Sequence, residues 1–295
     1  MAIVYDQLKA LKIPEVVQTY SEKDCILYAL GLGLGQDPAN ADELRFVYEK
    51  DIKVLPTLAV VLGWPGFWAR DLDTGIDWVK LVAGEQGLVL HRPLTPRATV
   101  IGHTRVTEII DKGPGKGALV YSERTVTDQA SGAKIATVTQ TTFCRGDGGF
   151  GGPAREAPPV HPIPERTPDL VCDLPSRPEA ALIYRLSGDP NPLHVDPAVA
   201  KAAGFPRPIL HGLATFGMAG HALLKSLCGY DPARLTAIAG RYSAPVFPGE
   251  TIRTEMWRDG AVVSFRARVL ERDVIALNNG RAALLFEEGG RKHRK

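Results

Sequence analysis

The sequence predicts an α+β fold made of two copies of one unit, each with a long helix wrapped by an antiparallel sheet. Two observations support this prediction. Short motifs recur in the same order on both sides of a Gly- and Pro-rich segment, which indicates a duplication. Within the second copy, stretches with apolar residues every three or four positions come before stretches that alternate or carry β-branched residues.

The repeated motifs lie at matching places in the two copies. The pattern P-x-x-P-x-x-T-[VI] starts at Pro93 and again at Pro245. The stretch "GALVYSERTV" of the first copy matches "GAVVSFRARV" of the second. Further upstream, "ILYALG" around Tyr28 matches "LIYRLSG" around Tyr184. Two sheets of this kind joined edge to edge would remove one exposed edge from each copy.

The segment "GDGGFGGPAREAPPVHPIPERTP" has no apolar period, so it predicts a linker over residues 146–168. The two copies then occupy residues 1–145 and 169–295. In the second, "AVAKAAGF" and "GLATFGMAGHALLKSL" are predicted helices, whereas "AIAGRYSA", "TIRTEMWRD", "AVVSFRARVLER" and "AALLFEE" are predicted strands. The stretch "GLGLGQ" at 31–36 lacks the preceding strand and full spacing of a phosphate loop, and predicts a helix end.

The composition is that of an ordinary globular protein, with 44% hydrophobic and 23% charged residues and a net charge of +2. That balance gives no electrostatic argument for nucleic acid or a membrane surface as partner. No apolar run approaches the ~18–20 residues that span a bilayer. Four widely separated cysteines indicate reduced thiols. The N-terminal residues do not resemble a signal peptide, and the basic tail "GGRKHRK" does not resemble a peroxisomal address. We therefore expect a cytoplasmic protein.

One stretch, "YRLSGDPNPLHVDPAVAKAAGF", concentrates groups that can move protons. It places Asp189, Asn191 and His194 on a segment in which two prolines prevent a regular helix, and Asp196 is the predicted N-cap of the helix that follows. An acid, an amide and an imidazole on one stiff loop can hold and activate a single water molecule. The alternative is an ordinary turn at "GDPN" with His194 on the surface.

A second candidate lies where an extended segment meets an apolar helix, in "RPILHGLATFG". A glycine in the first turn, Gly212, would let a thioester carbonyl approach a free backbone N–H at the positive end of the helix dipole. The alternative is an ordinary glycine at a helix entrance, and the neighbouring His211 is expected to have a supporting role. No serine elbow or Cys–His pair is visible, and the remaining histidines do not form metal-ligand pairs.

The two copies differ in this chemistry. When Tyr28 is laid over Tyr184, the positions of the acid and the imidazole fall on Gly33 and Pro38. The first copy therefore lacks the proton-handling pair, and we expect it to hold the substrate. If that substrate is an acyl chain, the first copy would leave room for a long one.

The loop resembles the signature of the (R)-specific enoyl-CoA hydratases, also called MaoC-like dehydratases. The stretches "YSEKDCILYALGLG", "LRFVYE", "LPTLAVV" and "RGDGGFGG" are similar to the N-terminal half of the hydratase part of peroxisomal multifunctional β-oxidation enzymes. The resemblance covers nearly the whole chain. It implies a double hot-dog fold that hydrates trans-2-enoyl-CoA to (R)-3-hydroxyacyl-CoA as a homodimer, without a metal or an organic cofactor.

The resemblance also implies roles for individual residues. Asp189 and His194 would be the catalytic dyad, Asn191 would help hold the water, and the Gly212 N–H would bind the thioester oxygen. Which member of the dyad is the base and which the acid stays open. Residues that would support these groups are Tyr28, Glu49, Asp196 and His211.

Three alternatives remain. A hot-dog thioesterase would use the same fold on the same CoA ester but release free thiol. A non-catalytic acyl-CoA-binding protein would need none of the three polar side chains of the loop. The third alternative is a dehydratase of this family that acts on a branched, steroid-like or dicarboxylic CoA ester.

Overall fold

The computed structural model describes residues 2–285, so the basic tail and the last residues of "AALLFEE" lie outside it. Ten strands form one sheet in which every neighbouring pair is antiparallel, in the order β1-β3-β4-β5-β2-β7-β10-β9-β8-β6. The strands are β1 (Val16–Tyr20), β2 (Leu81–Leu90), β3 (Ala98–Asp111), β4 (Ala118–Asp128), β5 (Lys134–Cys144), β6 (Leu170–Pro175), β7 (Leu235–Tyr242), β8 (Thr251–Asp259), β9 (Val262–Val269) and β10 (Val274–Leu284).

Seven α-helices accompany the sheet within residues 2–285. They are α1 (Tyr5–Lys9), α2 (Glu22–Gly31), α3 (Ala41–Leu44), α4 (Trp68–Asp71), α5 (Ala180–Tyr184), α6 (Pro197–Ala202) and α7 (Gly212–Leu227). Short 3-10 helices occur at Pro56–Val60, Trp78–Lys80, Arg185–Ser187, Pro192–His194 and Pro232–Arg234. None of the helices in the described range is both long and apolar enough to cross a membrane.

The sheet is symmetric about its central pair, β2 and β7. Outward from that pair the order is β5, β4, β3, β1 on one side and β10, β9, β8, β6 on the other. Each side thus repeats the same arrangement of five strands, and the two sides are joined edge to edge through antiparallel pairing of β2 with β7. The predicted α+β double hot-dog plan is confirmed, including the duplication.

One feature of that prediction is wrong: among the residues that the structure describes, only the second copy has a long helix. The 16-residue α7 packs against strands of the second half and also against β2 and the 3-10 helix Pro56–Val60 of the first half. In the first half that five-residue 3-10 helix is bounded by Pro56 and, downstream, by Gly63 and Gly66, whose φ angles are positive. Proline at the start and two left-handed glycines leave no room for a second long helix.

Helix α7 approaches the first half closely through glycine. A Cβ placed on Gly220 would lie 2.6 Å from Cγ2 of Thr57, much closer than two carbon atoms can sit. We expect Gly220→Ala to lower the free energy of unfolding by about 1 kcal/mol, because overpacking outweighs the gain in helix propensity. Thr57→Ser removes the clashing methyl group, so the double variant should be close to wild type in urea unfolding. Strictly additive effects of the two changes would contradict this contact.

A buried carboxylate also links the halves. Glu43 of α3 accepts a hydrogen bond from Tyr230 Oη at 2.9 Å and one from the Gly35 backbone N–H at 3.0 Å, and it lies 3.7 Å from His221 and 3.8 Å from Lys225 of α7. The contacts with His221, Tyr230 and Gly35, of which that with His221 is the largest, lower the pKa of Glu43 to about 2, although burial opposes them. The four cysteines are buried and unpaired, as predicted.

Candidate active site

The loop of residues 188–196, which we name the catalytic loop after its sequence-predicted role, follows α5 and is shaped by its own polar groups. Gly188 turns the chain with a φ of 127°, a conformation that favours glycine. The Asn191 backbone N–H donates to Asp189 Oδ1 at 3.2 Å, and the Asn191 Oδ1 accepts from the Leu193 N–H at 3.0 Å. The carboxylate and the amide are therefore oriented by the loop backbone, which leaves the Asn191 amide nitrogen available to a water molecule.

Two imidazoles stack beside the carboxylate. The rings of His194 and His211 lie 3.7 Å apart between centroids, with 27° between their planes. His194 Nδ1 is 2.9 Å from the Ile209 carbonyl oxygen, and His211 Nε2 is 3.2 Å from the Asp189 carbonyl oxygen. Because carbonyl oxygens only accept, Nδ1 of His194 and Nε2 of His211 carry the protons in the neutral rings. His194 Nε2 is thereby left with a free lone pair.

Both histidines favour the neutral form. Burial is the largest cause and lowers the pKa of His194, although the Ile209 carbonyl and Asp189 oppose it. Burial and the neighbouring His194 lower the pKa of His211 to about 3. At neutral pH the loop therefore presents an uncharged imidazole that can accept a proton.

The burial of His211 predicts a dependence of stability on pH. The unfolded chain binds a proton at this residue below about pH 6.5, whereas the folded chain does so only near pH 3. This stability is fully present above about pH 6.5 and is lost as the pH falls, with a slope of about 1.4 kcal/mol per pH unit. Between pH 7 and pH 5, wild type should lose about 2 kcal/mol more than His211→Gln in urea unfolding. Equal losses in the two proteins would contradict a buried, neutral His211.

Gly212 is the first residue of α7, where backbone N–H groups have no partner within the helix. The adjacent His211 donates to the catalytic loop, so this helix end and Asp189 are held together. The ring of Tyr242 lies against the same glycine, with its Cε1 atom 3.2 Å from where a Cβ would stand. The helix entrance thus combines a free N–H, the positive end of the helix dipole and a tightly fitted aromatic ring.

Tyr28 connects the first half of the chain to this site. It is fully buried, and its Oη donates to the Thr57 carbonyl oxygen at 2.8 Å. Its ring lies 5.6 Å from that of Tyr184, which lies 5.0 Å from that of His211. The tyrosines of the matched motifs "ILYALG" and "LIYRLSG" therefore contact each other. A series of four rings runs from the first half to His194.

Two of the sequence-predicted supporting residues, Glu49 and Asp196, make no side-chain hydrogen bond to Asp189 or His194 within residues 2–285. Glu49 lies in an exposed turn and makes no hydrogen bond or ion pair with the catalytic loop within residues 2–285. Asp196 caps α6 as predicted, accepting from Ala198 N–H at 2.8 Å and Val199 N–H at 3.4 Å, and it serves the start of that helix. Tyr184 and Tyr242 were not predicted as site residues from the sequence, and their buried hydroxyls have no hydrogen-bond partner among the described residues.

The same cluster could supply ligands to a metal ion. One ligand atom each from Asp189, His194 and His211 lies within 4.8 Å of the others. The two imidazoles are stacked, so their in-plane lone pairs run side by side, whereas the ligands of one ion converge on it. The cluster fits hydrogen bonding to one water molecule better than coordination.

Two family models match separate parts of the chain. Residues 159–279 match the model of the "MaoC like domain", and residues 18–146 match that of the "MFE-2 hydratase 2 N-terminal domain". The catalytic loop and α7 lie in the first of these matches.

Similar proteins cover most of the chain. It is 41% identical to "Enoyl-CoA hydratase 2, peroxisomal" of Arabidopsis thaliana, over 92% of this chain and 93% of that protein. It is 43% identical to "3-hydroxyacyl-thioester dehydratase Y" of Mycobacterium tuberculosis, over 88% of each. Among solved structures, a MaoC-like dehydratase from Phytophthora capsici superposes with a TM-score of 0.87 at 33% identity, over 98% of this chain and 100% of that one.

Proposed function

Because the chain belongs to the MaoC-like dehydratase family, in the form that carries an MFE-2 hydratase 2 N-terminal domain, we propose that it reversibly hydrates trans-2-enoyl-CoA to (R)-3-hydroxyacyl-CoA in fatty-acid metabolism. One observation carries this proposal: the loop that holds the proton-handling side chains is joined to the helix end that presents a free N–H. Asp189 and the neutral His194 lie on one rigid loop, and His211 ties that loop to the free N–H of Gly212.

In the proposed mechanism the thioester oxygen accepts a hydrogen bond from the Gly212 N–H. This draws electron density from C3 and stabilises the enolate that forms when the C2–C3 double bond opens. Asp189 and His194 hold the water, with Asn191 as a third contact. As the water oxygen bonds to C3, His194 Nε2 accepts its proton, and the imidazolium so formed returns a proton to C2 on the same face. The atoms of one water molecule are thus added across the double bond.

The lowered pKa of His194 favours both halves of this transfer. At neutral pH the ring is uncharged and can act as a base. Once protonated in its buried site, it is a stronger acid than a free imidazolium and gives the proton up readily. Asp189, which opposes the effect of burial on this ring, stabilises the short-lived imidazolium.

A thioesterase is the nearest alternative, because it would bind the same ester on the same fold. The product separates the two reactions, because only hydration forms a 3-hydroxyacyl-CoA and only hydrolysis releases free thiol. We expect the purified protein to remove the ultraviolet absorbance of crotonyl-CoA and of a longer trans-2-enoyl-CoA, with an (R)-3-hydroxyacyl-CoA product. Release of free thiol with either substrate would support the thioesterase instead, and an inert protein would argue for a different acyl group.

We further propose that no metal ion or organic cofactor takes part, that the protein is a homodimer and that it acts in the cytoplasm. The stacked histidines support the first of these statements. Dialysis against a chelator should leave the rate unchanged, and light scattering should give twice the mass of one chain. The name of the Arabidopsis thaliana relative places that protein in the peroxisome, so fractionation of the source cell is the test of location.

A further inference from the structure

The first half of the sheet contains a buried positive charge that no carboxylate within residues 2–285 neutralises. Arg124 of β4 is only 6% exposed, and its one hydrogen bond goes from Nη2 to the Val60 carbonyl oxygen. Its Nε is buried without a partner. Burial alone lowers its pKa to about 10, so the guanidinium remains charged at neutral pH. A buried charge without an opposite charge is costly, and proteins seldom retain one without a use.

The corresponding strand of the second half has no such group. There the inward-facing side chains of β9 are apolar, and Val263, Phe265 and Ala267 are all completely buried. In β4 the inward positions include Ser122 and Arg124. The charge is therefore not a requirement of the shared fold. It belongs to the half that lacks the catalytic pair.

Two buried hydroxyl groups on elements next to Arg124 also lack a hydrogen-bond partner within residues 2–285. Thr104 of β3 stands directly opposite Arg124 in the sheet register, and its buried Oγ1 has no partner among the described residues. The buried Oγ1 of Thr57 likewise has none. Thr57 and Val60 belong to the 3-10 helix Pro56–Val60, the short element that replaces a long helix in this half.

That same element leads to the catalytic site. The Thr57 carbonyl accepts from Tyr28, the first of the four rings that end at His194, and Thr57 packs on Gly220 of α7. A substrate whose thioester lies at the start of α7 and whose acyl chain extends into the first half would therefore bring the far end of the chain toward β4.

We propose that Arg124 receives a carboxylate at the far end of the acyl chain, so that the preferred substrates are trans-2-enoyl-CoA esters with a carboxylated terminus. This inference rests on the proposed function and names the substrate class of that site. A guanidinium offers two parallel N–H donors that match a carboxylate, whereas a terminal methyl group leaves the buried charge unpaired. The bond to Val60 uses only one of its five N–H groups.

The test compares pairs of trans-2-enoyl-CoA esters, from six to sixteen carbons long, that end in either a carboxyl or a methyl group. The quantity measured is the ratio of kcat/KM for the two members of each pair. In wild type this ratio should exceed one at the best-fitting length. In Arg124→Met it should fall by about 10- to 100-fold, because a hydrogen-bonded charge pair is lost. Arg124→Lys, which keeps the positive charge but not the two parallel N–H donors, should give an intermediate ratio.

Arg105→Met is the matched control. Arg105 lies on the neighbouring β3 strand, is exposed and pairs with Glu123 at 3.0 Å, so its loss should leave the ratio unchanged. Because the ratio compares two substrates on one protein, it does not depend on the fraction that is folded. If Arg124→Met folds poorly, the ratio in Arg124→Lys decides.

Three results would overturn the proposal. The first is a wild-type ratio at or below one at every length. The second is an unchanged ratio in both variants with a lower melting temperature. Either result would make Arg124 a structural partner of Val60. An equal rise of KM for both substrates, with weaker inhibition by free CoA, would assign it to the CoA phosphates. Failure of the proposed function would look different, because wild type would then hydrate neither member of any pair.

Discussion

Asp189→Asn is expected to lower kcat for the hydration of trans-2-enoyl-CoA by about 10²- to 10⁴-fold. The amide keeps an oxygen that can accept the Asn191 N–H bond, so the loop should retain its shape. What is lost is the negative charge that holds the water and stabilises the imidazolium of His194. The measurement is the loss of enoyl absorbance at saturating substrate, with KM determined in parallel.

Asp231→Asn is the matched control for this change. Asp231 is exposed and caps the 3-10 helix Pro232–Arg234 by accepting from the Ala233 N–H at 3.0 Å, and Asn caps as well as Asp. It should keep wild-type activity. If Asp189→Asn retained more than a tenth of the wild-type kcat, Asp189 would not be part of the catalytic dyad.

Gly212→Pro is expected to lower kcat by about 10²- to 10³-fold relative to Gly212→Ala. Proline removes the N–H that would bind the thioester oxygen, yet it is tolerated at the first position of a helix. The preceding residue, His211, has φ −56° and ψ 136°, an extended conformation that suits a residue before proline. The exchange therefore removes one donor while the helix remains.

Alanine at the same position separates this effect from crowding. Both variants add a Cβ that presses on the Tyr242 ring at 3.2 Å, but only alanine retains the N–H. Melting temperatures of the two variants should be similar. Equal kcat values in Gly212→Pro and Gly212→Ala would mean that this N–H does not stabilise the transition state.

Much of the fold was predictable, because strand periodicity and turn residues are local signals and the duplication repeats them in both halves. The sequence-predicted strand "TIRTEMWRD" coincides with β8, and the predicted Asp196 cap is the start of α6. The duplication also implied that Tyr28 and Tyr184 are equivalent. It did not imply that they touch, because contact between copies depends on how the two sheets join.

The features that were not predictable depend on differences between the copies. The first half lacks a long helix because a few glycines and Pro56 interrupt an otherwise apolar stretch, "LPTLAVVLG". Glu49 was a prediction from the family motif, whereas the buried acid of this region is Glu43, which its partners from the second half keep ionised. The buried Arg124 carries no local signal at all, since burial of a charge is decided by which face of the strand is covered.

The most direct test of the account is hydration of a trans-2-enoyl-CoA in D₂O, followed by analysis of the configuration at C3 and of the deuterium at C2. A single loop that holds the water and returns the proton predicts the (R)-3-hydroxy product with deuterium added on the same face as the hydroxyl group. Deuterium on the opposite face or on both faces, an (S) product, or free thiol without a hydroxy product would contradict it.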